Sequence, residues 1–148
     1  MYELIEGVLS ESKFANFLVL IHVPLKIIIR NTEKRTAEER KFVLNPWIHT
    51  DILIFSKLDK KPILEVKVDG YKYHVQNTKQ LERDKRKDTI LEKYNVPIIR
   101  FSTTGSGEKK LLEAKLRKVL YITITTVYKL QINLWLFFIS IEHKSNLW

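Results

Sequence analysis

The stretch ILEVKVDG (residues 63–70) decides the fold. In an extended strand successive side chains point to opposite faces. Glu65, Lys67 and Asp69 therefore share one side, while Leu64, Val66 and Val68 share the other. A charged row on a helix-covered face is costly unless its charges are paired or hold a metal. On an exposed edge strand the same row is merely solvated. The alternation alone leaves both readings open. Asp69-Gly70 closes the strand, because glycine readily takes positive φ.

Immediately upstream, HTDILIF (49–55) reads as a second strand and SKLDKKP (56–62) as the turn between the two. The short turn places Asp51, at the start of that strand, beside the charged row. A divalent cation would draw Asp51 and Glu65 together and leave Lys67 next to a scissile phosphate. Hydrolysis of a phosphodiester uses these residue types: oxygens hold a hard cation that polarises the phosphate and acidifies an attacking water. The ammonium offsets developing charge.

Downstream, NTKQLERDKRKDTILEKY (77–94) lacks Gly and Pro and predicts a helix. Gln80, Asp84, Lys87, Leu91 and Tyr94 form one stripe along it, apolar toward its C-terminal half and polar toward the other. Such a helix buries one end and presents Gln80, Asp84 and Lys87, with Arg83 alongside, at a polar site. An ordinary solvated helix with an apolar face of Leu81, Ile90 and Leu91 is the competing reading. VPIIRFST (96–103) predicts a strand carrying Arg100, TTGSGE (103–108) a turn, and EKKLLEAKLRKVL (108–120) an amphipathic helix with Leu111, Leu112, Leu116, Val119 and Leu120 on its buried side.

At the other end, YELIEGVLS (2–10) has helical spacing. FLVLIHVPLKIIIR (17–30) predicts a strand, or two strand segments kinked at Pro24, and NTEKRTAEER (31–40) a polar connector with some helical tendency. Trp47 and His49 read as packing residues. The elements, in the order α-β-β-β-α-β-α, make an α/β domain over residues 1–120 with a mixed central sheet flanked by helices. Residues 121–148 form an apolar extension to which no function is assigned. YITITTVY (121–128) predicts an extra strand or hairpin there, followed by an apolar helix or strand, and Lys129, Gln131 and Asn133 interrupt the apolar run a membrane span needs.

A net charge of +9 over 148 residues favours a polyanionic partner. With no cysteine, thiolate zinc sites, disulfides and a Cys nucleophile are excluded. A metal site would be built from carboxylates, His and backbone oxygens, which suits Mg²⁺ or Mn²⁺. The acidic start MYELIEGVLSESK lacks the features of a signal peptide, so a cytoplasmic location is expected.

Asp51, ILEVKVDG (63–70), His74, QLERDKRKDTILEKY (80–94) and IIRFSTTGSGE (98–108) together resemble the PD-(D/E)XK nuclease superfamily. Within it, the likeness is to uncharacterised nuclease-like domains often fused to superfamily-1 helicases, and more distantly to very-short-patch repair endonucleases. It covers about residues 3–120. The resemblance implies a restriction-endonuclease-like core and an Mg²⁺- or Mn²⁺-dependent nuclease acting on DNA, with a helicase or other DNA-processing protein as a candidate partner and a homodimer as one arrangement open to it. Asp51 and Glu65 would ligate the metal, Lys67 would be the catalytic lysine, and Gln80 matches a position that supports the site. Around these, Asp69, His74, Arg83, Asp84 and Lys87 are expected to support the site and Tyr71, Lys72 and Arg100 to contact nucleic acid. For Arg100, an ion pair with an acidic neighbour is the alternative.

One departure matters. Related domains commonly show E-x-D-G where this chain has Lys67-Val68-Asp69-Gly70. Either the acidic ligand has moved to Glu65, or Asp69 shares the role, or the domain is a catalytically inactive nucleic-acid-binding relative. A structural domain with a basic surface and no specific partner is the third reading.

Overall fold

The computed structural model describes residues 1–30, 35–69, 78–102 and 107–145. Helix α1 (Tyr2–Leu9) buries Ile5, Val8 and Leu9, and a 3-10 turn (Ser12–Phe14) leads into β1 (Phe17–Ile21). Two short helices follow, α2 (Leu25–Ile28) and α3 (Ala37–Leu44). Then come β2 (Ile52–Ser56), β3 (Pro62–Asp69), α4 (Thr78–Lys93), β4 (Ile98–Ser102) and α5 (Glu108–Ser145). The chain divides into two compact units, Met1–Glu113 and Ala114–Trp148.

The first unit is an α/β structure built on a four-stranded mixed sheet in the order β1-β2-β3-β4. β1 pairs with β2 and β2 with β3 antiparallel, and β4 lies parallel to β3. The parallel pair needs a long crossover. Helix α4 supplies it, and its end is well defined. Asn95 takes φ 58 just past the last turn, and Val96 N–H donates to Leu91 O at 2.9 Å. Asparagine tolerates that left-handed position, which caps the helix and turns the chain into β4.

Two of the expected elements differ. The second half of 17–30 is not a strand. β1 stops at Ile21, His22 takes φ 51, and Pro24 caps a single helical turn. Proline disturbs a ladder but fits a helix start, since the donor it lacks would go unused there. In the C-terminal region, residues 121–128 continue α5 rather than forming a strand or hairpin, and the residues after them take the helical alternative as far as Ser145. No Gly or Pro interrupts the helix nucleated upstream, so propagation costs little even through β-branched residues. The hydroxyls of Thr125 and Thr126 donate to Tyr121 O and Ile122 O, each at 2.8 Å, which accommodates them in the helix. Leu111, expected on the buried side of this helix, is exposed, whereas Leu112 is fully buried. Among the described residues no helix is long and apolar enough to cross a membrane.

Both faces of β3 are covered. Leu64 and Val66 are fully buried on one side, Glu65 and Lys67 on the other. Beneath the charged side lies an apolar cluster of Leu25, Ile29, Val43, Ile48, Ile90, Leu91 and Val96. Burying Ile90 and Leu91 holds the C-terminal half of α4 in place. α3 braces the same helix from outside. Its Glu38 and Glu39 pair with Arg86 and Lys93 of α4, at 3.4 and 2.6 Å, and its Phe42 ring lies 5.1 Å below the Arg86 guanidinium.

Candidate active site

The site grows from the register of β2 against β3. Leu53 lies opposite Glu65 and Ile52 opposite Val66. Directly opposed residues of an antiparallel pair share a face. Asp51, one residue before β2, therefore falls on the face of Glu65 and Lys67. Its backbone is fixed by the segment after β1. His22 N–H donates to Asp51 O at 3.1 Å, Thr50 N–H to Val23 O at 3.0 Å, and Leu25 N–H to Ile48 O at 2.9 Å. Pro24 and His49 form an isolated bridge, and the His22 and His49 rings meet edge-on at 5.0 Å. The kink at Pro24, costly for a strand, thus anchors the loop that carries Asp51.

α4 lies across this face and delivers two charged residues to it. The Lys87 ammonium stands among three oxygens: it donates to His49 O at 3.1 Å and lies 3.5 Å from Asp51 Oδ1 and 3.6 Å from Glu65 Oε1. Lys87 is only 6% exposed and Glu65 is 0% exposed. Among the described residues neither Glu65 oxygen has a hydrogen-bond partner. Burial pushes the Glu65 carboxyl above its ordinary value, against the opposing pull of Lys87 and Lys67.

Lys67, 3% exposed, pairs with Asp88 of α4. The parallel register sets Arg100 of β4 beside Lys67, and Arg100 pairs with the second Asp88 oxygen. Of the two readings of Arg100, the ion pair is the one present. Asp88 escaped the sequence analysis, although a signal existed: it continues the i, i+4 row Gln80, Asp84 along α4. What the sequence did not carry was the register of β3 with β4, which brings two cations to the same carboxylate.

A cavity of about 90 Å³ opens at this point, lined by Asp51, His49, Gln80, Arg83, Asp84 and Lys87 together with Trp47 and Phe42. That is room for a few waters. Gln80 donates to Asp84 at 3.5 Å across its mouth. Trp47, expected to pack, instead stands 77% exposed at the rim. Tyr71, Lys72 and His74 lie outside the described residues, as does the side chain of Asp69.

The donor set suits a hard divalent cation. Asp51 and Glu65 offer carboxylate oxygens, His49 a carbonyl, and the buried Glu65 oxygens are unsatisfied among the described residues. Among the described residues no three acidic or histidine side chains group as a metal site. Mg²⁺ does not require three, since it retains several waters and often takes only one or two carboxylates. Searches of curated proteins and of solved structures find no match. A family model described as a protein of unknown function, DUF2726, matches residues 1–120, and the chain belongs to that family.

Proposed function

We propose that this domain is a restriction-endonuclease-like, metal-dependent nuclease that hydrolyses phosphodiester bonds in DNA. The observation that carries the reading is the convergence of Asp51 Oδ1, Glu65 Oε1 and His49 O on a single cation beside a polar cavity that carries both signs of charge. The resemblance of the D…E-x-K pattern and the following helix to PD-(D/E)XK nucleases supports it. So does the surplus of positive charge.

Asp51 and Glu65 would hold Mg²⁺ or Mn²⁺, which when bound supplies Lewis acidity toward a phosphate oxygen and an acidified water. The chain's own groups do the rest. Lys67, fixed next to Glu65 by Asp88, offers positive charge to the phosphate as it becomes more anionic. Arg83 and Gln80 line the cavity where the backbone of a strand would enter. Burial of Glu65 excludes bulk water from one side of the site.

The reading is tested with linear, nicked and single-stranded DNA in the presence of Mg²⁺ or Mn²⁺. Wild-type protein is expected to cut, and Asp51→Asn and Glu65→Gln to lose at least ~10²-fold in rate while still binding DNA. The closure of Lys67 by Asp88 and Arg100 favours a second reading, a catalytically silent nucleic-acid-binding module working beside a helicase. Binding without cutting by wild-type protein would establish that one instead.

A further inference from the structure

We infer that Lys87 is a resident counter-ion of the carboxylate site, displaced when a divalent metal binds. The inference rests on the metal-dependent reading of Asp51 and Glu65 and goes beyond it, because it assigns a helix lysine a role in deciding whether the metal enters. Lys87 lies one helical turn before Leu91 and three residues before Ile90, both fully buried. Its stem therefore has to run inward along the apolar end of α4. The ammonium then arrives among His49 O, Asp51 Oδ1 and Glu65 Oε1, at 3.1, 3.5 and 3.6 Å. These oxygens form the same set that a hard cation would use.

Mg²⁺ takes its oxygens at about 2.0–2.1 Å. A metal drawn to Asp51 and Glu65 would stand in the space the ammonium fills, and two positive charges cannot share it. Lys87 has somewhere to go. The cavity beside it is lined by Asp84 and Gln80 on its own helix, one turn or two toward the N-terminus, and opens to solvent past Arg83. A lysine side chain has the rotamer freedom to swing across one turn while the backbone of α4 stays anchored. Displaced in that direction, the ammonium reaches the mouth of the cavity where a phosphate would lie. Metal entry and the presentation of Lys87 to substrate are therefore a single exchange. In the metal-free protein the same lysine keeps two carboxylates, one of them wholly buried, from facing each other unscreened.

Binding of Mn²⁺ alone to the full chain, measured by calorimetry without nucleic acid, tests the exchange. Lys87→Met removes the competing charge but keeps the stem, and is expected to bind Mn²⁺ at least ten-fold more tightly than wild type. Lys87→Arg, which keeps a cation, is expected to stay within three-fold of it. Equal or weaker binding by Lys87→Met overturns the inference. If wild-type protein still cuts DNA with Mg²⁺ in that case, the nuclease reading survives while the role of Lys87 does not. If no variant binds Mn²⁺ and wild type does not cut, both fall.

Should Lys87→Met unfold in chelator, circular dichroism with added Mn²⁺ takes over as the readout. Recovery of the folded signal supports a metal replacing the ammonium, and failure to recover overturns it.

Discussion

Asp88→Ala is the most informative perturbation of the fold, because Asp88 neutralises a lysine that has almost no access to water. Removing one partner of a buried pair leaves the other charge uncompensated and costs about 3–5 kcal/mol. Two features favour the lower end. Asp88 itself keeps 19% side-chain exposure, and the Lys67 ammonium still interacts with Glu65. The expected loss is therefore about 3 kcal/mol. With a urea dependence of about 2 kcal/mol per molar, the midpoint drops by about 1.5 M.

The converse change, Lys67→Met, should cost far less, about 1 kcal/mol. It removes the buried charge, keeps the apolar stem, and leaves Asp88 to Arg100. The double variant is the decisive one. Independent effects would sum to about 4 kcal/mol, whereas a real pair predicts about 1–2 kcal/mol, hence a coupling of about 2–3 kcal/mol. Equilibrium urea unfolding followed by circular dichroism measures all three. Strict additivity would refute the pairing, as would an Asp88→Ala variant no less stable than Lys67→Met.

Glu65 supplies a pH signature in the metal-free protein. Its folded-state pKa lies above the unfolded value, so its contribution is fully present below about pH 4.3 and is lost as pH rises through the folded value. Thermal melts in chelator should show this segment in wild type and not in Glu65→Gln. Thr36→Ala removes the hydroxyl that accepts from Glu39 N–H at 3.2 Å in the capping box of α3, and should cost about 1 kcal/mol in urea unfolding. Arg83→Ala should weaken DNA binding across all sequences and lower the salt slope by about 1, read from binding isotherms at several ionic strengths.

The sheet was largely legible because its strands announce themselves. The period-2 row in 63–68 and the apolar run in 52–55 match β3 and β2, and the helix over 77–94 begins and ends within a residue or so of α4. What escaped was set by partners distant in sequence. The turn of helix at Leu25 reads as β-branched strand until the chain is seen to leave the sheet at His22 and meet residues 48–51. Trp47 reads as a packing residue by size alone, and its exposure follows from where that loop emerges. The stripe on α4 correctly grouped Gln80, Asp84 and Lys87. A helical stripe gives an angle around an axis and no depth, however, so it did not show that Lys87 reaches the floor while Gln80 stays at the rim.

The charges on this face divide into two unequal halves. Asp88 is saturated: a buried lysine on one oxygen, an arginine on the other, both in direct contact. Asp51 and Glu65 share one ammonium at 3.5 and 3.6 Å, and among the described residues the buried Glu65 oxygens accept no hydrogen bond. Asp88 in this closed half serves the fold, since its two oxygens are already paired and gain nothing further from a ligand. An open half loses stability to the unsatisfied carboxylate, a cost that native interiors rarely carry without a use. A smaller, doubly charged cation would approach both carboxylates more closely than an ammonium can and would satisfy the oxygens that Lys87 leaves bare. That difference in satisfaction is the physical reason for proposing the chemistry at Asp51 and Glu65 and the scaffolding at Asp88.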